Sequence, residues 1–159
     1  MSSPAAVRTP RPGAVILGSD FKALGIVRSL GRRGIPCVVI DDLPRSAWFS
    51  RFATKVFQWE GLMGGPAFAD FLITLAAQQP LRSWVLVPAQ DDALEFVARH
   101  CQRLSTSYRL VTPDWEILRW AHDKRLLYQV AAELLIPYPR TWYPTGPDDL
   151  DGLEISLPA

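Results

Sequence analysis

The sequence predicts an α/β fold: an open, mostly parallel five-stranded sheet with helices on both faces, followed by two helices and a Pro-rich link. Three observations predict it. Short β-branched runs alternate with segments of helical period as far as Pro113. Strand, helix and strand follow one another with short joints, as right-handed parallel crossovers do. The run "SWVLVPA", Ser83 to Ala89, is apolar without alternation, which suits a strand covered on both faces.

The first unit runs from Ala14 to Asp42. Val15 to Leu17 form a strand that meets Gly18, and Leu24, Val27, Arg28 and Leu30 set a helical period that stops at Gly34. Cys37 to Ile40 read as a second buried strand and Thr54 to Trp59 as a third. Pro66 to Gln79 read as a helix with proline in its first turn, where no N–H is needed. Ser83 to Ala89 are the fourth strand. "DDALEFVARHCQRL" then opens a helix in which Asp92 and Glu95 have the spacing of a capping box, and Tyr108 to Pro113 close the sheet.

Beyond Pro113 the pattern changes. Asp114 and Asp123 stand as caps of two short helices, the second with Leu126, Leu127, Val130, Ala131 and Leu134 on its apolar face. A Pro-rich link follows, with one more short helix around Asp148 to Leu153. The expected domains are a disordered tail over 1–13, an α/β domain over 14–113 and a helical segment over 114–159.

Hydrophobic residues make up 48% and charged residues 21%, the mix of a soluble globular chain. No apolar run approaches the roughly 20 residues that span a bilayer, and "MSSPAAVRTPRPG" lacks a signal peptide's apolar core. A cytoplasmic protein with no membrane partner is expected. Seventeen basic and 16 acidic residues leave a charge of +1, too weak a field to gather nucleic acid. Cys37 and Cys101 are isolated and read as small core residues; His100 and His122 complete no ligand set, so no metal site is expected.

Ligands of open parallel sheets bind beyond the carboxyl ends of the strands. That rule nominates Gly18, Ser19 and Asp20 after the first strand, Asp41 and Asp42 after the second, and Gln90, Asp91 and Asp92 after the fourth. Gly18, Ser19, Asp20, Gln90 and Asp91 form the expected substrate-side set. Plain structural roles compete: Gly18 permits a tight turn, and an Asp at a helix start is first a cap. "GSDFKALG" has the first glycine of the dinucleotide fingerprint and another far too late, which argues against a nicotinamide or flavin site with Asp41 on the ribose. The loop "SAWFSRF", Ser46 to Phe52, is either a solvated loop with two packed rings or a wall of the crevice. No Ser, His and acid arrangement and no Gly-Lys-Ser/Thr phosphate loop is present, so no catalytic residue is assigned.

Lys124 raises a different question, because it places a cation in the first turn of a helix, where the dipole prefers an anion. The string "HDKRLLYQVAAELLIPYPRTW" resembles the segment that opens the ATP-grasp domain of ATP-dependent ligases, where an Asp-Lys pair begins a helix ending in Gly-Ile-Pro and an extended link. The sheet from "AVILGSD" to "YRLVTP" is similar to the family's Rossmann-like pre-ATP-grasp domain. The likeness covers about residues 14 to 157, most sharply Asp123, Lys124 and Ile136 to Thr141.

The resemblance implies that Lys124 binds ATP at the edge of the nucleotide cleft. It also implies an enzyme that uses ATP and Mg2+ to phosphorylate a carboxylate and join it to an amine. The implied partners are small-molecule carboxylate and amine substrates and the remainder of the ATP-grasp domain.

Two departures from the family pattern stand out. Leu135 occupies the place of the usual glycine and would have to take a left-handed conformation or end the helix differently. The sequence also stops at "EISLPA", before the second nucleotide-binding Lys, the glycine-rich loop and the acidic metal ligands. The expectation is the N-terminal part of a ligase, supplying the substrate-side wall and one edge of the ATP cleft, with no catalysis and no tight ATP binding alone. The competing reading is a self-contained α/β small-molecule-binding or regulatory module. A receiver-like regulator would need a Lys after its last strand, and "VTPDW" has none.

Overall fold

The computed structural model describes residues 12–61 and 63–150. Two compact units divide between Trp120 and Ala121. The first holds the sheet. Its strands are β1 (Ala14–Leu17), β2 (Cys37–Asp41), β3 (Ala53–Gln58), β4 (Val85–Pro88) and β5 (Arg109–Leu110). They lie in the order β3-β2-β1-β4-β5, and every pairing is parallel. The fold is therefore the expected open α/β sheet.

Helix α1 (Phe21–Gly31) joins β1 to β2, α2 (Pro66–Gln78) joins β3 to β4, and α3 (Asp91–Arg99) with α4 (Cys101–Leu104) joins β4 to β5. Strand residues of β1 and β2 alternate between two apolar layers. Val15, Leu17, Val38 and Ile40 pack with Phe68 and Leu72 of α2 and Phe96 and Val97 of α3. Ile16, Cys37 and Val39 pack on the other side with Ala23 and Val27 of α1 and with Ala47 of the loop after β2. Both faces of β1 and β2 are dry, which is why these strands read as unbroken apolar runs. Cys37 is a buried core residue, as expected.

Three expected features come out differently. The Asp92–Glu95 capping box does not form: α3 starts directly from Gln90, so Asp92 already lies inside the helix and Glu95 pairs with Arg99 at 2.7 Å. The long helix expected from Asp91 breaks at His100, whose backbone leaves the helical region. Strand β5 is two residues long, because only Val85 and Leu86 of β4 face it. Tyr108 anchors its start: the buried phenol donates to Leu72 O at 2.7 Å, and burial pushes its pKa up, so it remains a donor at any ordinary pH.

Helix α5 (Trp115–His122) begins in the first unit, where Asp114 Oδ1 accepts from Ile117 N at 3.1 Å and Arg99 stacks on Trp115 at 3.8 Å.

Among its described residues the second unit contains α6 (Lys124–Glu133) and a 3-10 turn, Pro147–Leu150. Asp123 caps α6, accepting from Arg125 N at 2.8 Å. Of the apolar face expected on this helix only Ala131 is buried, and Leu127 and Leu134 are largely exposed. Tyr128 stacks on Tyr138, which folds the Pro-rich link back along the helix. The expected tail lies outside the described residues except for Pro12 and Gly13, as do Asp151 to Leu153 of the expected last helix.

The end of α6 takes the left-handed alternative. Leu135 takes φ of 56°, with Leu135 N donating to Ala132 O and Ile136 N to Ala131 O, the paired bonds of a Schellman stop. Leu135 is 90% exposed, so packing returns nothing for the strain. Leu135→Gly should therefore stabilise α6 by about 0.5 to 1 kcal/mol, the left-handed penalty less the extra freedom of glycine in the unfolded chain. Hydrogen-exchange protection of the α6 amides measures it, and unchanged protection would mean that Leu135 is not strained in solution.

Candidate functional site

The strand order reverses between β1 and β4: the chain moves outward through β2 and β3 on one side, then returns to add β4 and β5 on the other. At such a switch point the loops leave in opposite directions and open a crevice. Its walls here are the segments after β1 and β4. Ala89 N donates to Leu17 O at 2.9 Å, and Gly18 N to Ile40 O at 2.8 Å, holding three strand ends side by side.

Gly18 takes φ of +100°, open to glycine and costly for other residues. A Cβ there would lie 3.1 Å from Gln90 Cδ, so the Gln90 side chain rests directly over the Gly18 backbone. Gln90 is the uncapped N-cap of α3, and Asp91, the next residue, is exposed in its first turn. The fold thus brings together Gly18, Gln90 and Asp91.

Ser19 and Asp20 stand on the same loop with internal duties. Asp20 caps α1, its Oδ1 accepting from Lys22 N and Ala23 N at 3.0 and 3.1 Å. Ser19 is fully buried; its hydroxyl donates to Asp41 Oδ2 at 2.6 Å and accepts from Arg45 N at 3.1 Å. Ala47 N donates to Ser19 O at 2.7 Å. Ser19 therefore staples the loop after β2 to the loop after β1. Any influence it has on a ligand passes through the loop it holds.

Asp41, at the end of β2, has no exposed surface. Its Oδ2 also accepts from an Arg45 guanidinium nitrogen at 2.7 Å, and its Oδ1 from Asp42 N at 2.8 Å. Burial pushes its pKa up, but the hydrogen bonds from Arg45, Ser19 and Asp42 outweigh burial and hold the carboxyl below its ordinary value. Both oxygens are engaged within the protein. Arg45 reaches Asp42 as well, at 3.0 Å. Sequence reasoning missed Arg45, although "DDLPR" places it three and four residues after the two acids.

In the loop at Ser46 to Phe52, Ala47 is buried with Ala23 and Val27 of α1 and Phe52 packs against the same cluster, while Phe49 is 76% exposed. Lys124 belongs to the second unit, exposed as the first residue of α6 behind the Asp123 cap. Among the described residues no group of three or more His, Cys, Asp or Glu could hold a metal ion, and no helix is long and apolar enough to cross a membrane.

The fold is an open α/β domain with its switch point between β1 and β4, and comparison with known proteins narrows the class. No family model matches the chain. It is 25% identical over 133 residues to a D-aspartate ligase of Enterococcus faecium (strain Aus0004), an alignment covering 80% of this chain and 31% of that one. The biotin carboxylase domain of a single-chain bacterial carboxylase superposes with a TM-score of 0.53 at 18% identity, over 86% of this chain and 32% of the other, a likeness of fold. The chain thus spans about a third of the length of these relatives. Together they support an ATP-grasp superfamily N-terminal region, the class that the sequence resembles.

Proposed function

We propose that the chain is the N-terminal part of an ATP-dependent carboxylate–amine ligase of the ATP-grasp type. Residues 14–113 would be its pre-ATP-grasp domain and 114–159 the start of its ATP-grasp domain. The observation that carries this reading is the Gly18–Gln90 crevice at the switch point of a sheet that resembles a biotin carboxylase domain, in a chain similar to D-aspartate ligase.

In this reading Gly18, Asp20, Gln90 and Asp91 line the substrate side and Ser19 holds the loop in place. Gly18 gives the Gln90 side chain room to lie over its backbone, and the Gln90 amide offers a donor and an acceptor to a carboxylate or amine. Lys124 forms one edge of the ATP cleft. ATP and Mg2+ supply the activation, and the remaining nucleotide contacts come from the remainder of the ATP-grasp domain. The place of action is the cytoplasm.

Lys124→Met in the ligase that carries this chain is the test. Met keeps most of the apolar stem of Lys and removes the charge. A charge-assisted contact to phosphate, worth about 1.5 to 3 kcal/mol, would be lost, raising the KM for ATP about ten-fold or more. Steady-state kinetics with ATP varied decide it: an unchanged ATP dependence would remove Lys124 from the nucleotide site, and ligase activity indifferent to ATP would remove the proposal altogether.

A further inference from the structure

Arg28, Arg32 and Arg33 gather at the C-terminal end of α1, at the opposite end of the sheet from the Gly18–Gln90 crevice. With Gly25 and Ser29 they line a depression of about 490 Å3. All three arginines are exposed, and none forms an ion pair among the described residues. Arg45, Arg99, Arg103 and Arg119 each sit beside an acid. Other exposed arginines such as Arg82 and Arg109 also lack an ion pair among the described residues, but Arg28, Arg32 and Arg33 line one depression together.

A helix C-terminus welcomes a cation, which accounts for one basic residue here. It does not account for Arg28 and Arg32 one turn apart, like charges that repel on a helix carrying no acid to separate them. Nor does it account for the floor. Gly25 and Ser29 are also one turn apart, and apart from its chain neighbours and the helix backbone nothing lies within 4 Å of where a Cβ on Gly25 would stand. The guanidinium groups therefore flank an open hollow with a small-residue base. With a charge of +1 on the whole chain, this local excess arises from placement rather than composition.

We infer that the hollow binds a soluble phosphate-bearing anion of the pyrophosphate kind. Guanidinium forks take phosphate oxygens two at a time, and three of them within about one and a half turns suit two adjoining phosphoryl groups better than a single carboxylate. The shallow, open form of the depression leaves the rest of such a molecule in solvent. The site stands on α1 alone and does not depend on the proposed ligase activity.

Isothermal titration of the full chain with inorganic pyrophosphate at low ionic strength should show one site. The double variant R28Q/R32Q should bind at least ten-fold more weakly, and Arg82→Gln, an exposed arginine elsewhere in the same unit, should leave Kd unchanged. The side chains of Arg28 and Arg32 are solvated and unpaired, so the variant keeps its fold, which far-ultraviolet circular dichroism checks. Two titration results would overturn the site: no binding by the natural chain, or equal weakening by Arg82→Gln, which would reduce the effect to bulk charge. Vesicles of phosphatidylglycerol and phosphatidylcholine in equal parts separate the sources of phosphate. Co-sedimentation that pyrophosphate fails to displace would place these arginines on a lipid surface and overturn a soluble ligand.

Discussion

Asp41→Ala will cost about 3 kcal/mol of stability, whereas Asp42→Ala will cost less than about 0.5 kcal/mol. The two acids are neighbours in sequence and share the same arginine. Asp41 has no exposed side-chain surface, while Asp42 is 46% exposed. Removing Asp41 leaves Asp42 N without its acceptor and breaks the bond that staples Ser19 to the end of β2. Arg45 remains 38% exposed and keeps Asp42, so the loss falls at the lower end of the range for broken buried pairs. Urea denaturation of both variants measures the contrast, and equal losses would show that the buried network does not hold the loops.

The same carboxylate gives the stability a pH dependence of known sign. Its folded pKa is lower than its unfolded one, so the folded state favours the ionised form. The contribution is complete above the unfolded carboxylate value, about 3.9, and fades as pH falls through the folded value. Between neutrality and about pH 3 the natural chain should therefore lose stability more steeply than Asp41→Ala.

How much of this was legible in the sequence depends on how local each cause is. The paired layers on β1 and β2 are written in two four-residue apolar runs, Ala14 to Leu17 and Cys37 to Ile40, and both strands lie within a residue of their expected bounds. Leu135 was legible in part: a side chain at a glycine position must turn left-handed or end the helix differently, and its φ of 56° is the first of these. The strand-end rule nominated Gly18 and Gln90, but periodicity cannot tell that β4 lies beside β1 rather than β3. That neighbour relation turns two separate loops into one crevice. Arg45 was not legible, since its bond to Asp41 depends on how the loop after β2 folds back under Ser19. The exposure of Leu127 and Leu134 was hidden for a related reason. An apolar stripe announces that a helix can be covered, and not which residues cover it.

Gly18→Ala should cost about 2 to 3 kcal/mol, an effect larger than one added methyl suggests. Two causes contribute. At φ of +100° any side chain strains the backbone, whatever space surrounds it. The new Cβ would also stand 3.1 Å from Gln90 Cδ and 3.3 Å from Gln90 Cγ and Nε2, so the side chain must give by a few tenths of an ångström. Because Gln90 meets the methyl with the far end of a flexible side chain, the second cause is the smaller, about 0.5 to 1 kcal/mol. Gln90→Ala on the Gly18→Ala background removes the crowding and leaves the backbone strain. A double-mutant cycle by denaturation should therefore return a coupling of about 0.5 to 1 kcal/mol. Strict additivity would mean that the Gln90 side chain does not rest over Gly18 in solution, and the crevice between β1 and β4 would then be wider than its residues now define.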